Sequence, residues 1–349
     1  MYSDEFNVNA DGTGLAMLAR NFEPLYHAMI HIGYSIEFGI PGLAAEGMAM
    51  AAVDPNVFNH QFLAPLWSTV STKSSKTPEV TVFDVLNLVY EGDFVTRQFD
   101  TPQENIKVTF EANTDRMLKY ALEWSIDLSK PGELDRKIKE LQWLMVILYG
   151  VAGYHEGKGL QADFYNMHLV TSCLFLGPNL YQLSKRSQEI FLRAYLANSL
   201  TIYLMFGRPP LDIATFWKET AAAEFIVPAG FNSSSTGTDA GYTGPAQLDA
   251  KVLASTKGNA NPWATHVQSA IVAKDDHYAK LIRALLHLAE RFGDRPAGHL
   301  VTMAPNCGLE GLEQIDGSLF LRVAGLTAEA VYDAQIFSIN KPYTGLELA

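Results

Sequence analysis

The sequence predicts an all-α protein, read as a single large multi-helix domain over residues 1–349. Three observations carry that expectation. Apolar residues recur at helical spacing along most of the chain, and strand-like alternation is scarce. The apolar segments are separated by Gly/Pro turns rather than by hairpin signals. With 349 residues, 48% of them hydrophobic, there is enough chain to bury a large core, and no internal repeat divides it.

The elements follow in order. Leu15 to Phe38 reads as one long helix, broken by Gly39-Ile40-Pro41-Gly42. Leu43 to Val53 is a small-residue helix that Asp54-Pro55-Asn56 stops by turn chemistry. Ser68 to Pro78 is a Ser/Thr/Lys loop, and Gln103 to Leu128 is a helix with Pro102 at its start. Lys130-Pro131-Gly132 turns the chain into a helix from Glu133 to Ala152, with Gly150 and Gly153 marking its end. Asp163 to Leu176 is helical and strongly apolar. Ser184 is placed to cap a helix to Phe206. Gly207-Arg208-Pro209-Pro210 forces a bend before a helix from Leu211 to Phe225. Pro228 to Pro245 is a long polar loop, a surface excursion or a lid. Pro262 to Ala273, Asp276 to Phe292 and Gly317 to Ala334 complete the helices.

Composition removes several function classes. The net charge is −12 with no basic stripe, which argues against a nucleic-acid partner. Cys173 and Cys307 are the only cysteines and form no CxxC pair, as expected of reduced thiols in a cytosolic protein. The polar, acidic start Met1 to Asn7 is neither a signal nor a transit peptide. The longest apolar runs, Leu144 to Ala152 and Leu196 to Phe206, are too short to span a bilayer. A cytoplasmic location is therefore expected, with no membrane partner. No Walker loop, no His-Glu-x-x-His and no nucleophile elbow occurs. Gly12-Thr13-Gly14 lacks the third glycine of a dinucleotide loop, so there is no flavin or nicotinamide signature.

Among nine histidines, His27 and His31 stand four apart in an apolar stretch, which places both on one helix face. Two imidazoles so placed can grip one metal ion. His168 lies in an apolar helix, and His277 opens another. His60, His155 and His299 fall near turns and are expected to be exposed. All-α metal sites are built from inward side chains on facing helices, and imidazole suits iron, copper, zinc and nickel. Against this stands the plain alternative that a histidine on an apolar helix is a satisfied core residue. Lys280 shares a face with His277. It is either a snorkelling surface lysine or a lysine held by a carboxylate, or converted to a carbamate, beside a metal. Glu37 and Glu46 are placed to support such a site from behind. Tyr34, Phe164, Tyr165 and Trp263 are candidate stacking surfaces, against an ordinary role in core packing.

The segment His27-Ala28-Met29-Ile30-His31-Ile32-Gly33-Tyr34-Ser35-Ile36-Glu37-Phe38 resembles the His-Pro-Leu-Ile-His-Leu-Gly-Tyr-Gly-Ile-Glu-Phe segment of questin oxidase-like proteins. Met167-His168-Leu169-Val170-Thr171-Ser172, His277-x-x-Lys280-x-x-Arg283-Ala284-Leu285 and Leu321-Arg322-Val323-Ala324-Gly325-Leu326-Thr327 resemble further segments of that family, in order. The resemblance implies oxygenation of aromatic polyketides such as anthraquinones in secondary metabolism, by Baeyer–Villiger insertion or dioxygenase-type ring cleavage. It implies NADPH for some members. For an iron-dependent branch it implies histidines and a carboxylated lysine as ligands. Relatives carry an Asn-His-x-x-His-His helix ahead of the His27 position, so this chain is expected to lack that N-terminal segment. Ser35 stands where relatives often carry glycine.

The resulting expectation is a non-haem iron oxygenase acting with dioxygen on a small aromatic molecule. His31, His168, His277 and Lys280 are its ligands, with His27 as a further ligand or a base. The alternatives are an NADPH-dependent Baeyer–Villiger monooxygenase without bound metal and an inactive helical binding homologue. The oligomeric state is not legible.

Overall fold

Leu25 and Tyr26 divide what the periodicity reads as one long helix. In the computed structural model this segment forms α1 (Met17–Asn21) and α2 (His27–Phe38). Leu25 and Tyr26 both adopt left-handed backbone, with φ of 55° and 63°. That conformation costs about 1–2 kcal/mol per non-glycine residue. Pro24 explains the break from sequence, because proline disfavours helical backbone in the residue before it. Tyr26 holds the turn: its ring is buried and its hydroxyl pairs with Ser199 at 2.8 Å. His27 thus becomes the first residue of a helix instead of lying mid-helix.

The structure describes residues 17–23, 25–53, 60–70, 78–96, 102–221, 261–273, 275–334 and 337. The polar loop 228–245, the start of the chain and the 54–56 turn lie outside them. The described residues are 70% helical, with 15 helices and one two-stranded sheet among them, so the all-α expectation holds. α2 ends where Gly39 takes φ 64° and its N–H donates to the Ser35 carbonyl, a position suited to glycine. α3 (Pro41–Val53) follows and packs back on α2. α4 (His60–Thr69) takes Ser68 and Thr69 from the expected loop.

α5 (Val82–Glu91) is an element the sequence reading passed over. The Thr81 hydroxyl accepts from Asp84 N–H while the Asp84 carboxylate accepts from Thr81 N–H, a reciprocal capping box. α6 (Pro102–Glu123) stops short of the expected Leu128, where Ser125 N–H donates to the Val80 carbonyl instead. α7 (Glu133–Val146) continues as a π-turn, Ile147–Val151, into the hairpin of β1 (Tyr154–His155) and β2 (Gly159–Leu160). α8 (Phe164–Cys173) and α9 (Leu176–Leu180) replace the single helix expected to Leu176. α10 (Lys185–Met205) starts on the expected cap, the Ser184 side chain accepting from Ser187 N–H. α11 (Ile213–Glu219) ends before the expected Phe225. α12 (Trp263–Val272), α13 (Asp276–Phe292), α14 (His299–Met303) and α15 (Leu319–Ala334) complete the described helices.

α10 is buried along nearly its whole length. Its Arg193 pairs with Glu189 at 2.8 Å and donates to the Ala121 and Trp124 carbonyls, which closes the C-terminal end of α6. On one flank of this core, α8 contacts both α2 and α13. Gly33 permits the α2 approach: a Cβ there would sit inside the Phe175 ring. No described helix is long and apolar enough to cross a membrane.

Candidate metal centre

Three histidines from these three helices meet. His27, His168 and His277 each present a ring nitrogen, and the three nitrogens lie within 4.8 Å of one another. His27 is the first residue of α2, His168 lies in the second turn of α8, and His277 lies in the first turn of α13. The N-terminal ends of three helices therefore converge on one point. Their exposed amide dipoles favour an anion there and disfavour an imidazolium.

The hydrogen bonds fix which nitrogens face inward. His168 Nδ1 donates to the Phe164 carbonyl at 2.7 Å. A carbonyl can only accept, so neutral His168 carries its proton on Nδ1 and a lone pair on Nε2. Asp275 does the same for His277: its carboxylate accepts from Nδ1 at 2.8 Å and from the His277 backbone N–H at 3.0 Å. Asp275 thereby caps α13 and sets the tautomer with one oxygen. His27 Nε2 lies 3.0 Å from His168 Nε2. Two imidazoles on one ion at metal–nitrogen distances of about 2.1 Å and right angles are about 3.0 Å apart. The spacing thus fits two neighbouring ligands of one metal.

Burial keeps His27 and His168 neutral. His168 is pushed down to about 3 by burial, reinforced by the charge of a protonated His27. His27 is pushed down to about 4 by burial and then by the Lys280 ammonium. Neutral imidazoles are what a metal requires. Phe164 covers the group, its ring 4.7 Å from His168 and 4.9 Å from His277.

The other expected residues fall around this centre. His31 is not brought into the trio; its Nδ1 lies 3.2 Å from Glu46, and both side chains are solvent-accessible. Lys280 sits beside His27, but its ammonium pairs with Asp276 at 2.8 Å. Glu37 pairs with Arg283 rather than with a histidine. Of the four aromatic candidates, Phe164 touches the imidazoles. Tyr34 stacks on Phe38 and tilts against Phe175, Tyr165 packs on Phe206, and Trp263 packs on His266. His299 and His155 are half-buried rather than exposed, and the side chain of His60 lies outside the described residues.

Asp275 escaped sequence reasoning. The run Asp275-Asp276-His277 at a helix start is its signal, since an N-cap aspartate can reach the imidazole two residues on. The Leu25–Tyr26 turn that aims His27 has no local signal beyond Pro24.

The sequence pattern of the questin oxidase-like family matches residues 4–285. A questin oxidase of Aspergillus fumigatus is 31% identical over 180 residues, 47% of this chain and 38% of the relative. A Baeyer-Villiger oxidase of Pestalotiopsis fici is 29% identical over 160 residues, 46% and 35% of the two chains. A questin oxidase of Aspergillus terreus is 22% identical over 346 residues, 95% and 65% of the two chains. The chain therefore spans between about one third and two thirds of the length of these relatives.

Proposed function

The chain belongs to the questin oxidase-like family, and on that premise we propose that it is an oxygen-dependent oxidoreductase. Its substrate is a polycyclic aromatic phenol or quinone of the polyketide type, oxidised or ring-cleaved at a non-haem iron held by His27, His168 and His277. The observation that carries this reading is the convergence of three ring nitrogens within 4.8 Å, two of them with Nδ1 already committed to a carbonyl or a carboxylate. Imidazole donors suit zinc, copper and nickel as well; iron is chosen here for the oxygen chemistry of the family. Bound in this trio, iron would supply dioxygen activation and polarise a substrate oxygen.

The chain's own residues do the rest. Asp275 and the Phe164 carbonyl hold two imidazoles in the ligating tautomer. The Phe164 ring offers a stacking face beside them. With His27 turned toward His168, His31 is the imidazole available to accept a phenolic proton. Glu46 backs its Nδ1, which leaves Nε2 as the acceptor. Lys280 joins the ligand set only as a carbamate, because an ammonium paired with Asp276 has no lone pair to donate.

The names of several relatives favour Baeyer–Villiger insertion, and the second reading is that reaction run with NADPH and no bound metal. One oxygen atom then enters beside a ring carbonyl and the other leaves as water. A third reading keeps the pocket without the chemistry. Iron analysis after anaerobic reconstitution, followed by oxygen uptake on a panel of hydroxyanthraquinones with and without NADPH, separates them. One iron per chain with iron-dependent uptake is the expected result. NADPH-dependent uptake in iron-free protein supports the second reading, and no uptake under any condition supports the third.

A further inference from the structure

One face of α2 carries the half-buried His27, His31 and Tyr34 and the exposed Phe38 at helical spacing. The half-buried face of α13 carries His277, Lys280 and Arg283. α8 lies between the two helices, with Phe164 and His168 at one end and Phe175 just past the other. Contacts run in register along the three: His27 meets His168, and farther along Tyr34 meets Phe175 at 4.5 Å and Arg283 at 5.2 Å. The helices are thus roughly parallel, and their side chains line a strip leading from the imidazoles to Arg283. At 1.5 Å rise per residue, His277 to Arg283 spans about 9 Å. That is comparable to three fused six-membered rings bearing an oxygen substituent.

Arg283 is held but not satisfied. Its guanidinium lies 5.2, 5.4 and 5.9 Å from the Tyr34, Phe38 and Phe175 rings. One terminal nitrogen, Nη2, donates to Glu37. The other, Nη1, is buried and has no hydrogen-bond partner among the described residues. A buried donor on a cation without an acceptor is costly to maintain, and arginine is the side chain suited to a planar anionic oxygen pair. Glu37 and Phe38, which flank the guanidinium, are exposed, and the Arg283 side chain is itself 33% exposed.

We propose that Arg283 is the anion-reading residue of this strip, which takes a planar aromatic carboxylate or phenolate. The ring face lies on Phe164, with Tyr34 alongside the far end, the oxidised end lies at the imidazoles, and the anionic oxygen lies on Nη1. Glu37 fixes the guanidinium and, as a neighbouring negative charge, weakens the anion's hold. The orientation rests on the iron-centre reading above, whereas binding at Arg283 requires no metal and no turnover.

The test is a fluorescence titration of the purified protein, before and after iron reconstitution, with anthracene-2-carboxylate and anthracene-2-carboxamide. The carboxylate is expected to bind about 10- to 100-fold tighter, the scale of one charge-assisted hydrogen bond. Arg283→Met abolishes that preference while the carboxamide affinity stays. Glu37→Gln increases it, and this variant decides the matter if Arg283→Met fails to fold. Equal binding of the two probes, no binding of either, a preference that survives Arg283→Met, or a preference unchanged or reduced in Glu37→Gln overturns the proposal. None of these outcomes depends on iron content or oxygen uptake, so failure here leaves the metal reading standing, and the reverse also holds.

Discussion

His27 Nε2 lies 3.0 Å from His168 Nε2, although 141 residues separate them in the chain. The contact joins the start of α2 to the second turn of α8, and His277 closes the group from the start of α13. Because the Phe164 carbonyl holds the His168 proton on Nδ1, the Nε2 facing His27 presents a lone pair. Without a cation, His27 must donate to it; with one, both nitrogens can ligate the same ion.

This geometry separates the two histidines of α2. His27→Ala is expected to lose most of the iron retained after reconstitution and desalting. His31→Ala is expected to retain it and to slow turnover instead, as a proton acceptor beside Glu46 would. Iron content by elemental analysis together with circular dichroism makes the comparison. Equal iron loss in both variants would put His31 back among the ligands.

Asp275 acts through His277. Asp275→Ser preserves an oxygen to cap α13 but withdraws the nearer carboxylate from Nδ1, leaving that of Asp276 at 3.3 Å. Iron affinity is expected to fall about 10- to 100-fold, with the melting temperature close to wild type. Competition against a calibrated chelator measures it, and an unchanged affinity would remove Asp275 from the site.

The buried imidazoles also set a pH dependence. His168 and His27 have folded values near 3 and 4, against an ordinary value of 6.5. Below 6.5 the unfolded chain takes up protons that these folded imidazoles refuse, so their contribution to stability falls as pH falls from 6.5 toward 4. Asp163 works in the opposite direction, since burial raises its carboxyl to about 7 and favours the folded state at the acid end of this range. The His168 contribution is isolated by difference. In chelator-treated protein, His168→Asn is expected to show a shallower loss of stability between pH 6.5 and 4 than wild type, measured by urea unfolding. Its amide replaces Nδ1 as the donor to the Phe164 carbonyl. Parallel curves would mean that His168 is not held neutral by burial.

The helices and most of their ends are legible because each leaves a local mark. Ser184 caps α10 as its sequence suggests, and Gly39 stops α2. The centre is legible only in its residue types. The i,i+4 spacing marks His27 and His31 as a pair, yet the structure sends one to the imidazole trio and the other to Glu46. The cause is the left-handed turn at Leu25 and Tyr26, which places His27 at a helix end and depends on Ser199, far along the chain. The meeting of α2, α8 and α13 is a tertiary fact to which Gly33 contributes by admitting Phe175, and no local periodicity carries it. Asp275 has a local signal, an aspartate two residues before a histidine at a helix start, but its second role appears only with the side chains in place.

The proposed centre holds one metal ion on three imidazoles from three helices. Its most direct test is the iron stoichiometry of wild type, His27→Ala, His168→Asn and His277→Ala after identical anaerobic reconstitution and desalting, each variant checked for native helicity. One iron per chain is expected in wild type and only a small fraction of that in every variant. Full iron retention in any folded variant, or no iron in the wild type, would contradict it.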